Sequence, residues 1–197
     1  MIDFVTALVI AFGVVFVAEL GDKTQLLALD FGARYSLPIV AIGLTLGYAA
    51  ANVVATVVGG VLGAALPDRP IQIIGGVVFL GFAVLALRRA RSGDGEGDEM
   101  HAESVHGTTT VSVIASIAGL IAVAEMGDKT QIATATLASQ SSPVGVWIGA
   151  TLGAASSGMV GAIAGNMIGH RISPRALQFA SAALFTLFGV AMLAGWF

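Results

Sequence analysis

Cysteine is absent from all 197 residues, which excludes disulfides, thiolate metal sites and cysteine nucleophiles. Charge is scarce as well. Asp, Glu, Lys and Arg together supply 11% of the chain, about half of what a soluble domain carries. A net charge of −3 offers no basic field to a polyanion, so no nucleic-acid partner is expected. The first apolar run has no basic segment ahead of it and carries Glu19 past its end, which reads as a retained helix rather than a cleaved leader. What remains is apolar: 56% hydrophobic residues and a mean hydropathy of +0.92. The lipid bilayer is therefore the expected solvent, and the chain reads as an integral membrane protein.

A hydrocarbon layer of about 30 Å needs about 20 apolar residues at a rise of about 1.5 Å each. Six windows meet that length, near residues 4–29, 38–66, 71–87, 111–138, 144–168 and 176–196. The expected fold is an all-α membrane protein of six transmembrane helices.

The octapeptide AELGDKTQ at residues 18–25 returns as AEMGDKTQ at residues 124–131, an offset of 106. The same offset carries Leu46-Gly47 onto Leu152-Gly153, Gly59 onto Gly165, Arg69 onto Arg175, Phe79 onto Phe185 and Phe82 onto Phe188. Such self-similarity marks a tandem duplication of a three-helix unit. The expected organisation is a first repeat at 1–90, a cytoplasmic acidic linker at 91–110 and a second repeat at 111–197. An odd number of helices per unit makes the second copy enter the membrane from the opposite face, so the repeats are inverted. Arg34, Arg88, Arg89, Arg91, Arg171 and Arg175 fall on one side and Arg69 alone on the other. Because cations accumulate on cytoplasmic loops, both termini are expected outside the cytoplasm, in a bacterial inner membrane.

Each octapeptide sets a Glu, an Asp and a Lys within an apolar stretch. At about 2.5–3.5 kcal/mol per charge at a membrane helix centre, six uncompensated charges would cost on the order of 15 kcal/mol or more. On a continuous helix Glu19, Asp22 and Lys23 project to one side, as do Glu125, Asp128 and Lys129. Gly21 and Gly127 either admit a neighbouring helix or mark a break that turns backbone groups toward a cavity. Inversion brings both motifs to the midplane, where four carboxylates form one site. With both lysines charged the site carries about −2, which one divalent cation or two protons neutralise. That equivalence is what an exchanger requires. Oxygen ligands without Cys or His in the membrane suit calcium or manganese(II), while magnesium sheds its water reluctantly. Gln25 and Gln131 are further candidate ligands. Lys23, Thr24, Lys129 and Thr130 are expected in support, the lysines as counter-ions.

Two copies of E-x-G-D-[KR]-[ST], Glu19 to Thr24 and Glu125 to Thr130, in a chain of two three-helix halves, resemble the calcium/cation antiporter-2 family. That family includes Golgi manganese and calcium transporters and bacterial manganese exporters. The resemblance covers essentially the whole chain and implies proton-coupled export of manganese(II) or calcium by alternating access. It implies no enzyme and no cofactor, with the motif Glu and Asp residues as cation ligands and proton carriers.

Two other readings compete. A cation channel also uses carboxylates to select ions, but a duplicated architecture favours alternating access. Intramembrane aspartyl proteases carry G-x-G-D, whereas the position two before each motif Gly is here Glu19 or Glu125. Asn52, Thr56, Ser156 and Ser157 are polar enough to line a path. His101 and His106, among Glu96, Asp98, Glu99 and Glu103, read as a solvated acidic linker.

Overall fold

The computed structural model describes residues 3–65, 68–92, 109–167 and 174–195. Its regular elements are eight α-helices: α1 (Phe4–Glu19), α2 (Lys23–Arg34), α3 (Leu37–Ala65), α4 (Asp68–Ser92), α5 (Thr110–Glu125), α6 (Lys129–Gln140), α7 (Pro143–Met167) and α8 (Pro174–Ala194).

Local chemistry sets the helix starts. Asp3 caps α1 by accepting the Thr6 N–H at 2.8 Å, and Thr109 with Ser112 forms a reciprocal box at the start of α5. Pro38, Pro70, Pro143 and Pro174 sit in the first turns of α3, α4, α7 and α8, where a missing N–H leaves no hydrogen bond unmade.

The expected first and fourth spans are not continuous helices. α1 turns into α2 through 80°, and α5 into α6 through 78°. Leu37–Ala65 and Pro143–Ala164 are long and apolar enough to cross a membrane, and each bent pair qualifies when its two helices are taken together. The protein is thus an all-helical membrane protein with two to four candidate spans among the described residues, and Gln72–Arg88 and Phe185–Ala194 are shorter apolar helices. The acidic run with His101 and His106 lies outside the described residues.

The two halves interlock. α1 and α2 pack on α7, α5 and α6 pack on α3, α3 meets α7, and α4 meets α8. Glycine makes the closest of these approaches possible. A Cβ at Gly149 would collide with the Leu8 carbonyl, and one at Gly59 with that of Ala135. Such contacts supply packing energy where lipid leaves no hydrophobic driving force between helices. Gly60 faces Pro143 while Gly158 faces Leu44, so α3 and α7 run antiparallel. α4 and α8 do likewise, Gly76 facing Leu193 and the Phe82 ring lying 5.7 Å from that of Phe185.

Polarity is distributed as a bilayer demands. Val53, Val57, Val58 and Val61 stand exposed on α3, whereas Glu19, Asp22, Thr24, Glu125 and Thr130 are buried.

Candidate cation site at the two helix breaks

Each octapeptide builds the same break. α1 ends at Glu19, and the Leu20 N–H turns back to the Val17 carbonyl at 3.2 Å. Gly21 then adopts φ 80°, and α2 begins at Lys23. In the second copy Met126 and Gly127, again at φ 80°, separate Glu125 from α6. A side chain is strained at this φ, so glycine is required by conformation. Close approach is not the reason at Gly127, around which a Cβ would meet nothing within 4 Å.

The glutamines span each break. The Gly21 N–H donates to Gln25 Oε1 at 2.7 Å, and the Gly127 N–H to Gln131 Oε1 at 2.8 Å. Gln25 Nε2 donates to the Ser157 carbonyl on α7 at 3.3 Å. Gln131 Nε2 donates to the Ala51 carbonyl on α3 at 3.2 Å. Ala51 and Ser157 are themselves equivalent under the offset of 106. The two candidate ligands therefore have their carboxamides engaged on backbone groups, fixing each break to the opposite half.

Ending α1 and α5 at a glutamate aims both carboxylates into the space between the breaks. Glu19, Glu125 and Asp128 each place a carboxylate oxygen within 4.8 Å of the others. The two glutamates are 1% and 5% exposed. Thr24 Oγ1 donates to Glu19 Oε2 at 2.9 Å, and Thr130 Oγ1 to Glu125 Oε2 at 3.2 Å. Glu19 Oε1 has no hydrogen-bond partner among the described residues. Oxygens at about 2.3–2.6 Å from a calcium ion lie up to about 5 Å apart when they face each other across it. The triplet is thus dimensioned for one hard cation and is drawn from both halves.

Asp22 lies outside this triplet. It pairs with Lys129 of the other half, whose Nζ is 3.6 Å from Asp128. The expectation that Glu19, Asp22 and Lys23, and likewise Glu125, Asp128 and Lys129, project to one side of a continuous helix is corrected here, because α1 and α5 end at the glutamates and the breaks take the aspartates and lysines off their axes. The backbone of Lys23 opens α2, and its side chain lies outside the described residues.

Among the polar residues of α3 and α7, Asn52 Nδ2 donates to Thr151 Oγ1 at 3.4 Å. Thr56 Oγ1 turns back onto the Asn52 carbonyl at 2.8 Å. Ser157 is fully buried, and Ser156 is half-buried.

Sequence reasoning passed over one residue, Tyr48 on α3. It is buried, and Glu19, Glu125 and Asp128 act electrostatically on its hydroxyl. Its equivalent in the second half is Ala154, so a search for doubled motifs is blind to it.

The family model described as divalent cation/proton antiporter GDT1 matches residues 7–94 and 113–197. PAM71, a chloroplastic protein of Arabidopsis thaliana, is 31% identical over 205 residues, covering 93% of this chain and 55% of that protein. The GDT1-like protein sll0615 of Synechocystis is 30% identical over 186 residues, 88% of this chain and 90% of the relative. GDT1-like protein 1 of rice, also chloroplastic, is 29% identical over 97% of this chain and 62% of its own length. The chain thus spans 55% and 62% of the length of these two plant proteins and 90% of the cyanobacterial one. No solved structure matches it significantly.

Proposed function

Because the chain belongs to the GDT1 family of divalent cation/proton antiporters, a family of transporters and not of enzymes, we propose that it exports manganese(II), or calcium, from the cytoplasm in exchange for protons. The observation that carries this reading is the buried triplet of Glu19, Glu125 and Asp128, with oxygens within 4.8 Å of one another and contributed by both halves. In a chain that spans a bilayer, such a cluster requires a neutralising partner, and a divalent cation and protons compete for it.

Asp22 completes the charge of the site through Lys129. Four carboxylates against Lys23 and Lys129 give about −2, which one divalent cation or two protons cancel, so both loaded forms are suited to moving between access states. Gln25 and Gln131 serve as braces of the breaks, and Thr24 and Thr130 orient the glutamates.

Six crossings in two inverted repeats, 1–90 and 111–197 around the linker at 91–110, fit the antiparallel courses of α3 against α7 and α4 against α8. These are equivalent helices under the offset of 106. With each broken pair counted as one crossing and the arginine bias facing the cytoplasm, both termini lie outside, in a bacterial inner membrane. Broken helices meeting between inverted repeats are a recurrent way to hold an ion at the midplane.

Transport of manganese(II), calcium and magnesium into proteoliposomes under an imposed pH gradient tests the reading. An acidic lumen should drive manganese or calcium inward against its own gradient with loss of luminal protons, and Glu19→Gln and Glu125→Gln should abolish it. Movement only down the cation gradient, unmoved by pH, identifies a channel instead.

A further inference from the structure

The α3·α7 crossing is not symmetric at the site. Tyr48 lies over Gly158, where a Cβ would come within 3.5 Å of its ring and its hydroxyl. The equivalent pair from the other half is Ala154 and Asn52, which lacks a phenol. Glycine at 158 thus makes room for a large side chain that reaches from α3 across to α7 at the level of the breaks. The residue is 1% exposed, and its hydroxyl has no hydrogen-bond partner within 3.5 Å among the described residues.

A buried phenol normally finds a partner, and an orphan O–H in the interior carries a desolvation penalty. Here the hydroxyl lies beside the Thr24 side chain and within electrostatic reach of carboxylates from both halves, Glu19, Glu125 and Asp128. Glu19 Oε1 is a second buried oxygen without a hydrogen bond among the described residues. Two buried oxygens with spare acceptor capacity in one charged cluster suit a hard cation, which takes oxygen ligands.

We propose that Tyr48 is a specificity-determining residue of the cation site, its hydroxyl supplying a neutral oxygen to the bound divalent cation or to a water the cation retains. This rests on the antiport reading above and deepens it. The triplet provides fewer oxygens than the six to eight that calcium takes, so a neutral oxygen at this position weighs most for the cation with the larger coordination number. It also makes the two halves of the site unequal, because the side of Ala154 offers only a methyl group.

The test compares Tyr48→Phe with the unmodified chain in proteoliposomes, at one pH gradient, with manganese(II) and calcium as separate substrates. Phenylalanine keeps the ring over Gly158 and removes only the oxygen. KM for calcium should rise about three- to tenfold, the weight of one hydrogen bond or ligand. KM for manganese should rise less, and kcat for both should stay within about twofold. Unchanged KM for both cations, equal rises for both, or a fall in kcat alone would overturn the proposal and leave Tyr48 a packing residue. A second variant, Tyr48→Leu, should give the same calcium-selective loss if it reconstitutes with unaltered thermal stability. If the unmodified chain moves neither cation against its gradient, it is the antiport reading that fails.

Discussion

Lys129 makes its ion pair with Asp22 of the other half, although Asp128 is its immediate neighbour in the chain and stands 3.6 Å from its Nζ. One lysine thereby ties together two helix breaks that lie 106 residues apart in sequence. The pair is an element of tertiary structure as well as a contribution to the site's charge.

Removing one partner of a buried pair strands the other, at up to about 3–5 kcal/mol. Asp22→Asn is therefore expected to lower the thermal unfolding temperature in detergent more than the double variant Asp22→Asn with Lys129→Met, which removes both charges together. A double variant as unstable as the sum of the singles would contradict a direct pair.

The glutamines invite a discriminating substitution. If Gln25 and Gln131 brace the breaks, Gln25→Glu keeps an oxygen for the Gly21 N–H but turns a second oxygen toward the Ser157 carbonyl, replacing a hydrogen bond with repulsion. Transport should fall by at least about tenfold, the equivalent of roughly 1.4 kcal/mol. Were Gln25 a direct cation ligand, the added negative charge would instead tighten cation binding and lower KM.

Glycines that look alike in sequence should behave oppositely. A Cβ at Gly13 would meet nothing within 4 Å, so Gly13→Ala within α1 is expected to stabilise by about 0.5–1 kcal/mol through helix propensity. Gly149→Ala would drive a methyl into the Leu8 carbonyl and should force α1 away from α7. Gly127→Ala has space but not the conformation, and strain at φ 80° should cost about 1–2 kcal/mol. Thermal unfolding of the three variants should rank Gly13→Ala highest and Gly149→Ala lowest.

These contrasts mark what a sequence can disclose. Glu19, Glu125 and Asp128 were legible because ionised groups in apolar runs are costly, and because the same octapeptide occurs twice. The breaks were only half legible. Gly21 and Gly127 are also the residues that close packing would select, and φ decides between the two uses. The partner of Lys129 was hidden, since periodicity along a helix points to neighbours three and four residues away, and the pairing obeys the meeting of the halves instead. Tyr48 was hidden for the opposite reason: it breaks the repeat that made everything else visible.

The triplet also predicts linkage between cation and stability. A ligand that binds only the folded state stabilises it by RT ln(1 + [L]/Kd), about 2.7 kcal/mol at one hundred times Kd. Manganese(II) should therefore raise the unfolding temperature of the detergent-solubilised protein in proportion to the logarithm of its concentration, once that exceeds Kd. Glu125→Gln removes the negative charge of one of the three converging carboxylates and should flatten this response, whereas Asp30→Asn should leave it intact, because Asp30 is engaged with Arg34 at 2.8 Å away from the triplet. An equal shift in both variants would mean that the metal acts elsewhere on the protein.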